Sequence, residues 1–205
     1  MATLPADPVA VSRHRLTVAD FRRMGEVGIL GPDDRVELIA GEIIDMSPIG
    51  SLHAAFVRAI VTALTAHLRD QALLAIQDPL AVDDTSQLQP DVAVLRPRAD
   101  FYAAAHPGPA DVLLVIEVAD TTLSFDLDVK VPLYAAAAVP EVWVIEAASR
   151  RTHVFRRPVG GRYAERHVIE PGGEVSCGGD LTGRDAVAGI RLIVGQLLPT
   201  SPESL

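Results

Sequence analysis

The sequence predicts an α/β fold, a single domain in which paired strands are covered by helices on either side. Three observations predict it. The stretch "DVLLVIEVAD" (111–120) is apolar on successive residues, as a central strand covered on both faces requires. Leu52, Phe56, Val57, Ile60, Val61, Leu64 and Leu68 recur with a helical period and give an amphipathic helix from 52 to 70. "VELIAGEIIDMS" alternates on both sides of Ala40-Gly41 and reads as a hairpin. A chain of 205 residues, 49% hydrophobic, can bury one sizeable core.

The other elements follow in order. "LTVADFRRMGEVG" is a short helix with Thr17 as N-cap and Val18, Phe21 and Met24 on one face. "GPDDR" is a turn. "ALLAIQDPLAV" offers one or two short strands, and "QPDVAVL" is a strand entered through Pro90. "RPRADFYAAAHPGPA" is a Pro/Ala loop with room for one helical turn. Residues 124–138 form a helix that stops before Pro140, with Pro132 marking a first turn or kink. "EVWVIE" and "RTHVFRR" are strands, and "GGRYAERHVI" returns as a hairpin. The stretch "DLTGRDAVAGIRLIVGQLL" is irregular, ending in a helix or a strand. Residues 1–14 are expected to be a flexible arm, 15–198 the domain and 199–205 a tail.

The net charge of −9 argues against a general nucleic-acid coat or a binder of anionic membranes. It leaves room for a nuclease, whose metal site is itself acidic and whose basic surface can be local. The single cysteine, Cys177, excludes an internal disulfide and a cysteine-based zinc site, and it suits a reducing cytoplasm. The N-terminal residues contain no apolar core of a signal peptide, and no uninterrupted apolar run reaches about 18 residues, so neither a leader nor a membrane span is expected. No Walker A, GxGxxG, GxSxG or HExxH pattern occurs.

Two carboxylates stand in costly places. Glu117 lies inside an apolar strand, where it must be paired, protonated or bound to a cation. Asp91 opens another apolar strand. If the strands are neighbours, both can project from one sheet edge as hard oxygen ligands suited to Mg²⁺ or Mn²⁺. Lys130 is the one lysine among 18 lysines and arginines. A chain that drifts toward arginine keeps lysine where a compact ammonium is needed, although a leftover surface residue is the plainer explanation. Asp126 stands four residues before Lys130, so an i,i+4 ion pair is expected, and Tyr134 shares that face as core or support. Glu37 is either a further carboxylate of the site or a charge on the solvent face of the hairpin. His53 reads more readily as a satisfied helix-start histidine than as a site residue. Residues 150–166 carry six arginines against one acid. Arg150, Arg151, Arg156 and Arg157 are among them, either as a solvated rim or as contacts to a phosphate backbone.

"Pro-Asp", about 25 residues, then Glu at the end of an apolar strand resembles the PD-(D/E)XK nuclease superfamily. The usual lysine two residues after the glutamate is missing, because that position is Ala119. Lys130, one element later, stands in for it. With "RVELIAGEIIDMSPIGSLH", "QPDVAVL" and "LVIEVADTTLSFDLDVKVPLYAAAAVPEVWVIE", the chain resembles the Uma-type family of restriction-endonuclease-like proteins over residues 15–160. It departs from that family at Ala119-Asp120-Thr121-Thr122, where Ser-Pro-Ser is common, and at Ala138, where glycine is favoured. The resemblance implies a restriction-endonuclease-like domain with a central mixed sheet flanked by helices, preceded by a helix and a hairpin. It implies Mg²⁺- or Mn²⁺-dependent hydrolysis of DNA. Asp91, Glu117 and the carbonyl of Val118 would hold the cation, and Lys130 would orient or deprotonate the attacking water. It also implies homodimerisation. A degenerate nuclease fold used for binding or assembly, or a hydrolase of another phosphodiester, is the alternative.

Overall fold

The computed structural model describes residues 12–68, 71–177 and 190–197. Residues 1–11 and 198–205, which hold most of the expected arm and all of the expected tail, lie outside the described residues, as do 69–70 and 178–189.

Helix α1 (Val18–Glu26) starts where Thr17 predicts it. The Thr17 hydroxyl oxygen accepts from the Asp20 N–H at 3.1 Å, and the Asp20 carboxylate accepts from the Thr17 N–H at 2.9 Å, a reciprocal capping box. Strands β1 (Val36–Ile39) and β2 (Glu42–Asp45) form the expected hairpin. Its two turn residues, Ala40 and Gly41, have φ of +48° and +77°, the type I′ conformation that matches strand twist. A Cβ at Gly41 would lie 2.6 Å from Cβ of Arg15, so close approach also demands glycine.

Helix α2 (Ser51–Leu68) is followed by the short strands β3 (Leu73–Ala75), β4 (Leu80–Asp83), β5 (Ser86–Leu88) and β6 (Val92–Leu95). The Pro/Ala loop contains one 3₁₀ turn, Pro109–Asp111, and leads to β7 (Val112–Ala119), buried along its whole length. Next come α3 (Leu123–Phe125), a π-helical turn (Asp126–Lys130) and α4 (Val131–Ala136). Strands β8 (Glu141–Glu146), β9 (Thr152–Val159) and β10 (Arg162–Ile169) form a meander. The strands β11 (Val175–Ser176) and β12 (Arg191–Leu192) pair with each other, and a 3₁₀ turn, Val194–Gln196, follows.

The central sheet has six strands in the order β10-β9-β8-β7-β6-β3, and it is mixed because β7 and β8 alone run parallel. A second sheet, β2-β1-β5-β4, depends on β5, which the sequence does not reveal. "SQL" is three residues long and mostly polar, too short for any period to show.

The faces of the central sheet follow strand alternation. In β7, Leu114, Ile116 and Val118 point to α2, where Phe56, Ile60 and Leu64 cover them. Val115 and Ala119 point the other way, to Tyr134 of α4 and to Leu80 and Leu88 of the second sheet. Glu117 falls between them on that second face. α2 has the length and mean hydropathy, 1.3, of a membrane span, although His53, Arg58 and His67 interrupt its apolar run. Its apolar stripe is spent on the sheet, and Phe56, Ile60 and Leu64 are fully buried there.

Pro132 resolves as a change of helix type. The Val131 N–H reaches back five residues to the Asp126 carbonyl, and Pro132, which has no N–H to donate, then enters the first turn of α4. α4 closes with the Val139 N–H on the Tyr134 carbonyl and the Ala138 N–H on the Ala135 carbonyl, a Schellman motif. Ala138 occupies its left-handed position at φ +58°, which accounts physically for the glycine favoured there in the resembling family.

Candidate active site

The β6–β7 ladder pairs Val92 with Ile116, and one step further sets Asp91 across from Glu117. The two are cross-linked. The Asp91 N–H donates to Glu117 Oε2 at 3.3 Å, and the Val118 N–H donates to Asp91 Oδ2 at 2.8 Å. Glu37 arrives from β1 of the second sheet. Its Oε1 accepts from the Gln89 N–H at 2.6 Å and lies 3.0 Å from Lys130 Nζ. Lys130, on the π-helical turn, is 3.4 Å from Glu117 Oε1. Tyr134 donates its hydroxyl to the same oxygen at 2.7 Å. Glu37, Glu117, Lys130 and Tyr134 are all buried. Glu37 therefore sits inside the cluster rather than on a solvent face.

The expected i,i+4 pair between Asp126 and Lys130 is not made. Over the π-helical turn the backbone is wound more widely, and residues four apart no longer stack. Lys130 turns to Glu37 and Glu117, while the Asp126 carboxylate accepts from the Thr122 hydroxyl at 2.7 Å. His53 does more than satisfy a helix start. Its Nδ1 lies 2.9 Å from the Val118 carbonyl oxygen, and its Nε2 is 2.9 Å from Asp91 Oδ1, an ion-pair contact outside hydrogen-bond alignment.

One residue here escapes sequence reasoning. Gln77, between β3 and β4, holds φ at +55°. Its N–H is shared by the Pro90 and Asp91 carbonyls at 3.2 and 3.3 Å, and its side-chain amide donates to Asp91 Oδ1 at 3.2 Å. A left-handed non-glycine residue held this way fits a site that fixes a carboxylate. A lone glutamine in a short linker gives no signal of it.

The arginine-rich hairpin is elsewhere. β9 and β10 lie two and three strands from β7, and none of the four named arginines lines the pocket around Glu117. Arg156 pairs with buried Glu141 at 2.9 Å, Arg157 with Glu165 at 2.8 Å and Arg151 with Glu170 at 3.3 Å, while Arg150 donates to the Gly195 carbonyl at 2.9 Å.

The pocket has a volume of about 330 Å³ and is lined by six carboxylates against Arg35, His53 and Lys130. Burial is the main cause that pushes the Glu117 carboxyl up to about 8; Lys130 opposes it, and Asp91, Asp126 and Glu37 add to it. Burial likewise raises Asp126, against the pull of Lys130. Burial alone would lower Lys130, but Glu117, Glu37 and Asp126 outweigh it and leave the ammonium more firmly protonated than a free lysine. The Asp91 carboxylate raises His53.

No three side chains among His, Cys, Asp and Glu close on one point among the described residues. The donor chemistry nevertheless fits Mg²⁺ or Mn²⁺. Asp91, Glu117 and Glu37 are hard oxygen donors on the lining of one pocket. A pH dependence follows. Glu117, Asp126 and His53 are all raised in the fold, so each stabilises it fully at low pH and loses that contribution as pH climbs through its folded value. The metal-free protein is expected to lose stability between pH 5 and about 8, the upper bound being set by Glu117. If Glu117 ligates Mn²⁺, the ion must displace its proton, so Mn²⁺ affinity should rise over the same window and level off near pH 8. Thermal melts with and without Mn²⁺ across that range check both signs, and a flat Mn²⁺ response would count against Glu117 as a ligand.

The family model described as "Putative restriction endonuclease", Uma2, matches residues 18–186. Among solved structures, the chain is similar to a protein from Anabaena variabilis described as a putative nuclease belonging to DUF820. The TM-score is 0.65 at 16% identity, covering 89% of this chain and 97% of that one. That likeness establishes the fold, a mixed α/β architecture around a six-stranded sheet. No curated protein matches the chain. The family model spans most of the sequence and takes in every residue of the acidic pocket described above, and the chain belongs to the Uma2 family.

Proposed function

We propose that this protein is a divalent-metal-dependent endonuclease that hydrolyses phosphodiester bonds of DNA. One observation carries the reading: Asp91, just before β6, Glu117 of β7 and Lys130 of the π-helical turn converge on one pocket with Glu37.

Asp91 and Glu117 would hold the cation, with Glu37 within reach and the Val118 carbonyl keeping a second lone pair beside its His53 contact. Tyr134 and Lys130 occupy Glu117 Oε1, which leaves Oε2 with a single long hydrogen bond from Asp91 and free to bind a cation. When bound, such an ion supplies Lewis acidity and lowers the pKa of its water. Lys130 stays an ammonium in this environment. That favours orienting the water and offsetting charge on the phosphoryl oxygens over deprotonating the water.

Purified protein with Mg²⁺ or Mn²⁺ should nick or cut plasmid DNA, and EDTA should abolish the cleavage. If neither metal supports cleavage of any DNA or RNA form, the nuclease reading fails. A binding or assembly role, which suits the net charge of −9, would then take its place.

A further inference from the structure

The acidic pocket poses a problem for a polyanionic substrate. Six of its lining side chains are carboxylates. Lys130 is committed to Glu37 and Glu117, and His53 to Asp91 and Val118. Arg35 is the remaining cation in the lining. It is half-buried and forms no ion pair among the described residues; its Nη1 donates to the Ser47 carbonyl at 3.2 Å. The other guanidinium donors have no carboxylate to satisfy, although Asp45 lines the same pocket.

Its position is set by β1. Arg35 immediately precedes the strand, two residues before Glu37, so both side chains leave the same face. At about 3.3 Å per residue, Arg35 is about 6–7 Å further along the strand than the residue that meets Lys130. That places its guanidinium on the pocket lining beside the carboxylates, one position along the strand face from Glu37. A phosphoryl group held at a cation between Asp91 and Glu117 leaves a neighbouring phosphate of the strand for Arg35, whose guanidinium can grip two phosphate oxygens at once.

We infer that Arg35 binds the DNA backbone at a phosphate next to the one being hydrolysed, and so sets the strand's register across the site. This rests on the nuclease reading. Arg35 also ties down the 46–50 loop through Ser47, so the test must separate charge from tether. Arg35→Gln keeps an amide donor for the Ser47 carbonyl and removes the charge.

Binding of a short mixed-sequence DNA duplex is read by fluorescence anisotropy over a salt series, with Ca²⁺ replacing the catalytic ion so that turnover does not intervene. Both Arg35→Gln and Arg35→Ala should bind about tenfold more weakly. The slope of log affinity against log salt should fall by about one. Mn²⁺ affinity, measured by calorimetry without DNA, should not decrease. Wild-type binding and slope in Arg35→Gln would overturn the assignment, leaving the tether as the role of Arg35. A loss of Mn²⁺ affinity in Arg35→Gln would also overturn it, since Arg35 would then be supporting the carboxylates. If the wild-type protein binds no DNA under these conditions, the nuclease reading falls, and Arg35's role falls with it.

Discussion

Lys130→Met is expected to slow DNA cleavage by about 10²–10³-fold, the usual cost of removing one charged donor aimed at a transition state. Methionine keeps the length of the side chain and discards the charge. The substitution also leaves Glu37 and Glu117 without the cation they share. Breaking a buried pair in this way commonly costs about 3–5 kcal/mol. Glu117 already holds its proton up to about pH 8 and can stay neutral, so the loss of stability should be smallest near pH 6 and grow as pH rises. Single-turnover rates with saturating Mn²⁺, beside thermal melts at both ends of that range, separate the two effects. Lys130→Arg should not rescue the rate, because a flat guanidinium cannot reproduce the contacts of a compact ammonium with Glu37 and Glu117. Wild-type cleavage by a folded Lys130→Met protein would remove Lys130 from the chemistry.

Asp91→Ala should abolish both cleavage and measurable Mn²⁺ binding. The carboxylate is the meeting point of the site: Oδ2 accepts from the Val118 N–H, and Oδ1 faces both Gln77 and His53. Alanine deletes the proposed cation ligand and strands the buried Val118 N–H, which costs about 1–3 kcal/mol of stability. Asp91→Asn distinguishes the two losses. Its amide oxygen can still accept from Val118, so the fold should melt close to the wild type, while the lost charge should weaken Mn²⁺ binding by at least about tenfold. Unchanged Mn²⁺ affinity in Asp91→Asn would mean that the cation, if there is one, sits elsewhere.

Much of this arrangement is legible in the sequence, for identifiable reasons. The β7 run, the period of α2, the Thr17 cap and the Ala40-Gly41 turn are each local signals, and the fold does not override them. Asp91 and Glu117 stand out because a carboxylate in an apolar strand needs an explanation. Lys130 stands out through composition. The contributions of Gln77, Arg35 and β5 stay hidden. Their roles come from contacts between segments far apart in the chain, which no local period encodes. His53 belongs to the same class: that a helix starts close to Leu52 is readable, but that its first turn abuts the β6–β7 edge is a tertiary fact. The i,i+4 pairing of Asp126 and Lys130 fails for a narrower reason. It assumes regular α-helical winding through the very residues where the winding changes.

That change of winding has a consequence for how such a site can be altered. A π-helical turn is the imprint of one surplus residue absorbed within a helix, and each residue is worth about 100° of rotation. Deleting one residue between Asp126 and Lys130 would restore a regular helix, leave α4 docked, and swing everything before it by that angle. Asp126 and the segment leading back to β7 would rotate out of phase while Lys130 and Tyr134 kept their places. Loss of a single codon in this turn is thus a mutational route by which the site would come apart without any substitution in it.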